Sequence, residues 1–252
     1  VFSVKAGDKD FIIRLNSDPD KKIEFLKEKW CLEAVAKLSI PSPQVLALGT
    51  YQDHHYLIQN KLPGINGSQT DPKIKSRIWN RLGQYASIFH QIEEIEDQAV
   101  QEEEFHDDWK ARLRYNLEEL NEQDSLLTNG IISAQEQENM RFLLKSLAYK
   151  SFRSGLIHGD LSPRNVLVDE ENIYLLDWGT AVGNIIPHHE IGAMQLNREA
   201  SGEDMQAFLN GLGIGAVQFE SIEREIILLN LLHCLDVYRW AEGWNMDRIK
   251  DY

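Results

Sequence analysis

Residues 158–177 constrain the fold more than any other part of the chain. His158-Gly159-Asp160-Leu161-Ser162-Pro163-Arg164-Asn165 leads into the apolar run Val166–Val168, a polar turn at 169–172 and the apolar run 173–176, and Asp177-Trp178-Gly179 follows. Two short apolar runs around a polar turn read as a β-hairpin. A hairpin returns the chain to its start, so Asn165 and Asp177 become neighbours across eleven intervening residues, with Asp160 just before them. An amide oxygen beside a carboxylate suits a hard cation such as magnesium holding nucleotide phosphates, and a second carboxylate nearby can orient a hydroxyl. The segment is a phosphoryl-transfer site in outline.

The rest of the sequence divides in character near Leu62-Pro63-Gly64. Before it, strand patterns at 1–4 and 11–15 flank the turn Ala6-Gly7-Asp8, and two more strands are expected at 45–48 and 56–59. Between these pairs a helix is expected, with Asp18 as N-cap, Pro19 in the first turn, an apolar side through Ile23, Leu26, Trp30 and Leu38, and Pro41-Ser42-Pro43 as its stop. After residue 64 the pattern turns helical. Asp71-Pro72 opens a segment with Ile74, Ile78, Leu82, Tyr85 and Phe89 at helical spacing, and Ser133 with Glu136 forms a capping box.

Composition sets limits on partners. The chain has 252 residues and a net charge of −14, which argues against nucleic acid and anionic membrane. Nine of the acids lie in 93–108 without a Lys or Arg, a solvated face or loop. The most apolar stretch, 226–240, is interrupted by Asn230, His233, Asp236 and Arg239, and reads as a buried helix rather than a membrane span. Cys31 and Cys234 stand far apart with no metal or redox spacing, which suggests a reducing, cytoplasmic setting. Trp30, Trp79 and Trp240 fall on apolar helical faces and are expected in the core.

The run H-G-D-L-x-x-x-N, a hairpin and D-W-G together resemble the catalytic and metal loops of the aminoglycoside phosphotransferase and choline kinase family, relatives of protein kinases. The resemblance extends to the strand 11–15, to the helix around Glu28-Lys29-Trp30 that ends in a P-x-P turn, and to the hinge-like 56–60 followed by Leu62-Pro63-Gly64. Beyond about residue 185 it is loose. It implies an α+β, two-lobed, protein-kinase-like fold: a small β-rich N-terminal lobe, residues 1–60, and a larger, mainly helical catalytic and acceptor-binding lobe, residues 61–252. It further implies Asp160 as the base or hydroxyl-orienting acid and Asn165 and Asp177 as magnesium ligands. Glu28 would be partner to the phosphate-contacting base, here Arg14. Asn60 and Leu62 would present hinge backbone to the adenine. The implied reaction moves the γ-phosphoryl of ATP, with GTP as the second candidate, to a hydroxyl of a small molecule, such as an aminoglycoside or other amine-bearing alcohol.

Departures from the family pattern shape the alternatives. The Gly-rich turn over the phosphates would precede Val1, so an upstream strand and turn are expected. Arg14 stands where many protein kinases use Lys; it keeps the charge and adds a planar fork, although a surface salt bridge with Glu28 is its bland alternative. Together these departures leave open a catalytically silent nucleotide-binding module. Pro187-His188-His189-Glu190 sits where the family shows an Asp that braces the catalytic loop, a role assigned to Glu190; a zinc site at His188, His189 and Glu190 is the competing reading. His158 is expected to hold loop backbone. A protein substrate is disfavoured because Ser162 replaces the Lys of protein kinases and no A-P-E-closed activation segment follows Gly179. Glu199, Glu203 and Asp204 would form a rim attracting a cationic acceptor, whereas Arg164 beside the metal ligand would favour an anionic one.

Overall fold

The computed structural model describes residues 1–18, 20–93, 109–200 and 202–244. It forms two compact units, Val1–His106 with Ser154–Ala216 and Asp107–Arg153 with Val217–Tyr252. Pro19, expected in the first turn of the helix, and most of the acidic stretch 93–108 lie outside the described residues.

In the first unit a four-stranded antiparallel sheet runs β1 (Phe2–Ala6), β2 (Lys9–Asn16), β4 (His54–Asn60), β3 (Val45–Tyr51) in spatial order. The strands fall where alternation places them, each extended by one or more residues. β1 and β2 close on a two-residue turn, with Ala6 opposite Lys9. Arg14 lies opposite Leu57 and Ile12 opposite Gln59. On β4 the buried parity is Leu57 and Gln59, so the sheet's inner face carries one amide among its apolar side chains.

Helix α1 (Asp20–Lys37) packs on this sheet, but not by the face expected from Ile23, Leu26, Trp30 and Leu38. Ile23 and Leu38 are exposed and Leu26 and Trp30 half-buried, while Phe25, Glu28, Cys31, Leu32 and Val35 are buried. The buried stripe therefore runs at three- and four-residue spacing through a carboxylate. A hydrophobicity pattern skips that position, and this shifted the expected face. The helix also stops before Pro41: Ser39 adopts φ 61° and the Ile40 N–H returns to the Val35 carbonyl, a left-handed closure made without glycine. Pro41 instead accepts a hydrogen bond from Leu175 N–H at 2.8 Å, tying the turn to the hairpin.

The hairpin of β7 (Val166–Val168) and β8 (Ile173–Leu175) forms as expected, with Val166 opposite Leu175, and β5 (Ile65–Asn66) adds to it alongside β7. A two-stranded piece pairs β6 (Arg153–Ile157) with β9 (Val182–Ile186). Asp71 caps a short turn at Pro72–Ile74, and α2 (Lys75–Phe89) buries Ile78, Trp79, Leu82, Tyr85 and Phe89.

In the second unit lie α3 (Trp109–Glu119), α4 (Ser125–Thr128), α5 (Ala134–Lys145) and nearly all of α8 (Ala216–Trp244). Ser133 and Glu136 form the expected reciprocal cap of α5, which holds the Glu136 carboxyl below its ordinary value through bonds from the Ser133 backbone and hydroxyl. α8 buries Ile226, Leu228, Leu229, Leu232 and Leu235, yet Trp240 is half exposed, against the core placement expected for it. At Trp240 the apolar stripe has already rotated to Ala241. Inside the unit, Arg239 pairs with buried Asp124, and Asn116 donates to Asp236 at 2.6 Å. Among the described residues no helix is long and apolar enough to cross a membrane.

The first unit is completed by α6 (His188–Leu196) and α7 (Gly202–Leu212). α7 crosses α2 at backbone contact. A Cβ at Gly83 would lie 2.1 Å from the Phe208 carbonyl oxygen, and one at Gly211 would lie 1.9 Å from the Asn80 carbonyl oxygen. Trp79 meets Phe208 edge-on beside the crossing.

Candidate active site

The loop between β6 and β7 carries the chemistry, and buried polar contacts fix its backbone. Both oxygens of Glu190, fully buried on the first turn of α6, accept backbone N–H groups of the loop: His158 at 2.8 Å and Gly159 at 3.2 Å. The bracing role assigned to Glu190 is thus visible in the geometry. His189 and His188 join no metal cluster, and among the described residues no group of three or more His, Cys, Asp or Glu could hold a metal ion.

His158 is locked in one tautomer. Its Nδ1 accepts the Asp160 N–H at 3.3 Å, so its Nε2 carries the proton and donates to the Leu176 carbonyl at 2.8 Å. The ring lies 4.7 Å from that of Trp178, which in turn meets Phe89 edge-on at 5.2 Å. His158 therefore spans the loop and the end of the hairpin as a structural strut. Gly159 has φ +78°, and a Cβ there would lie 2.6 Å from the Thr180 carbonyl oxygen, so no other residue fits this step without displacing backbone.

Asp160 follows directly. Asn165 Nδ2 donates to both the Asp160 carbonyl and its Oδ2, each at 2.7 Å. With its amide nitrogen committed, Asn165 Oδ1 is left as an acceptor with no hydrogen bond among the described residues. Leu176 N–H donates to the Asn165 carbonyl at 2.9 Å, which brings Asp177 to the position the hairpin argument requires. Asp177 takes φ 57°, a left-handed turn that Asp tolerates. Its side chain is 56% exposed.

Arg14 links this centre to α1. Its Nη1 donates to both Glu28 oxygens, one at 2.6 Å, and its Nη2 lies 4.0 Å from Asp177 Oδ1. Its guanidinium also lies over the Phe25 ring at 5.4 Å. This is not a surface salt bridge: Glu28 is buried, and burial raises its pKa, partly offset by the Arg14 charge. Gln59 donates to Glu28 Oε1 at 3.3 Å. Gln59 was not anticipated, although a polar residue at the buried parity of an apolar strand was a legible signal.

The hinge positions are placed differently from one another. Asn60 has its N–H on the Gln44 carbonyl and its side-chain oxygen on the Gln44 N–H, whereas Leu62 is half-buried and its backbone groups make no hydrogen bond among the described residues. Arg164 is the residue whose contacts sequence reasoning missed. One Nη donates to Asp160 Oδ1 and the other to Glu199.

Two protein oxygens, Asn165 Oδ1 and the Asp177 carboxylate, suit magnesium, which takes few protein ligands and completes its shell with phosphate and water. An oxygen pair suited to a cation, an acid on the adjoining loop and an Arg anchored by a buried Glu are the arrangement that the kinase-like expectation calls for. The comparisons agree: residues 1–223 match the model of the APH family, described as phosphotransferase enzymes, and the chain belongs to that family. Among solved structures it is similar to macrolide 2'-phosphotransferase MphH from Brachybacterium faecium, with 19% identity, a TM-score of 0.67 and coverage of 99% of this chain and 84% of that one. It is also similar to the APH(2")-IIa of a streptomycin-ATP ternary complex, at 17% identity, TM-score 0.62, and coverage of 98% and 87%. A third is a fructosamine-3-kinase-like protein from Haemophilus somnus 129PT, at 13%, 0.59, and 98% and 83%. No curated protein sequence matches the chain.

Proposed function

We propose that this protein transfers the γ-phosphoryl group of ATP to a hydroxyl of a small molecule. The observation that carries the reading is the trio at the base of one hairpin and on the loop that leads into it: Asp160 held by Asn165, Asn165 with a free amide oxygen, and Asp177 exposed beside Arg14. In this reading residues 1 to about 60 hold the nucleotide, with Asn60 and Leu62 at the adenine edge, and residues 61–252 supply catalysis and acceptor binding. Asn165 and Asp177 would hold magnesium, which when bound draws charge from the phosphate oxygens. Arg14, fixed by Glu28, adds a second positive group at the phosphates. Asp160 orients the acceptor hydroxyl and takes its proton as the oxygen bonds to the γ-phosphorus and the bond to the β–γ bridging oxygen breaks, releasing ADP. The work of the protein is position and charge.

A panel of hydroxyl-bearing metabolites and antibiotics, read by ADP release with ATP and with GTP, tests the reading. Acceptor-dependent ADP release, lost on omitting magnesium, is the expected result. Nucleotide binding with no acceptor phosphorylated would move the assignment to the silent module. Turnover without magnesium would remove the mechanism.

A further inference from the structure

Of the three acids expected to form a cation-attracting rim, two are already neutralised from within the chain. Asp204 is buried and pairs with Lys75 at 2.7 Å, and Glu199 pairs with Arg164. Of the three, Glu203 alone stands exposed without a cation partner among the described residues. Arg164 bridges Asp160 and Glu199: one Nη on Asp160 Oδ1, the other on Glu199 Oε1. Its side chain is 47% exposed, and it lines a cavity of about 390 Å³ together with Ser68, Thr70, Lys75, Pro163 and Glu199. The cavity thus opens beside the base through a guanidinium.

We propose that Arg164 is a specificity-determining residue: it fills the cation seat between Asp160 and Glu199, so that the acceptor carries a neutral or anionic group, not an ammonium, next to the hydroxyl that reacts. An ammonium entering that seat would meet a guanidinium already paired with both acids and could gain neither carboxylate without displacing it. A neutral polyol or a hydroxy acid meets no such competitor, and the unused N–H groups of Arg164 are donors for its oxygens. The inference rests on the phosphoryl-transfer reading and names the acceptor class for the same site.

Glucose, glucosamine and gluconate differ in charge at nearly equal size, and N-acetylglucosamine, larger by an acetyl group, returns the amine position to neutral. With wild-type protein, kcat/KM for the neutral sugars and gluconate should exceed that for glucosamine by about tenfold or more, because like charges at contact repel strongly near a protein surface. In Arg164→Ala the ranking should collapse or invert toward glucosamine, and millimolar methylguanidinium should restore it. Arg164→Lys, which keeps a cation, should retain the wild-type ranking. Preference of the wild type for glucosamine would overturn the proposal even if no variant folded. So would an unchanged ranking in a folded Arg164→Ala. Phosphorylation of none of these compounds, nor of any other alcohol in the wider panel, would instead sink the phosphotransferase reading and this inference with it.

Discussion

Replacing Glu190 by Gln tests how the catalytic loop is held. The carboxylate accepts one backbone N–H on each oxygen, and an amide keeps only one acceptor oxygen, so either His158 or Gly159 would face a second donor. Losing one charge-assisted bond costs about 1.5–3 kcal/mol, and leaving a buried N–H unsatisfied adds about 1–3 kcal/mol. Because these terms overlap, a net loss of about 3–5 kcal/mol is expected, within the stability of an ordinary domain. For a chain of this size that is a fall in melting temperature of roughly 6–20 °C. The loop also carries Asp160, one or two residues beyond the released N–H, so kcat should fall at least about tenfold while KM for ATP changes little. Thermal melts by circular dichroism and steady-state kinetics on the same preparation measure both effects. A melting temperature within 2 °C of wild type, ~1 kcal/mol or less, together with unchanged kcat, would refute the bracing argument.

Asp160→Asn should lower turnover by about two to four orders of magnitude. It should also disturb metal dependence, because the new amide must oppose either Arg164 or the Asn165 amide, and a flipped Asn165 would withdraw Oδ1; a magnesium titration of the variant reads this out. Asp177→Ala should weaken binding of magnesium-ATP while leaving binding of adenosine intact, a difference calorimetry can resolve. Glu28 has a pKa raised by burial, so it stays protonated to higher pH in the folded protein than in the unfolded chain. Its contribution to stability is therefore fully present below the ordinary Glu value of about 4.3 and is lost as pH rises through the raised folded value. Denaturant melts across that window should show wild type losing stability relative to Glu28→Gln as pH increases; a parallel pair of curves would contradict it.

Much of this molecule was readable because local chemistry and tertiary role coincide. The hairpin 166–175 announces itself by two apolar runs and a polar turn, and its closure alone brings Asn165 and Asp177 together. Glu136 answers Ser133 three residues apart, and the cap follows. Failures came where a buried position holds a polar group. Glu28 and Gln59 both sit on apolar faces, so a hydrophobic pattern rotates α1 away from its true packing side and passes over the amide on β4. The pairing of Glu28 with Arg14 was expected, and the structure shows it, but only the family resemblance supplied it: the two lie fourteen residues apart on different elements, and no local window contains both. The Arg164 bridge is illegible for the same reason, since Glu199 lies thirty-five residues away.

The crossing of α2 and α7 bears on how acceptor choice could change. With Gly83 under the Phe208 carbonyl and Gly211 under that of Asn80, neither helix can slide or turn against the other to widen the space between them. Randomising 83 and 211 in a selection for new substrates should return glycine at both. Variety would have to come from Arg164, Glu199 and the turn at 67–75, side chains mounted on a joint that itself admits no adjustment.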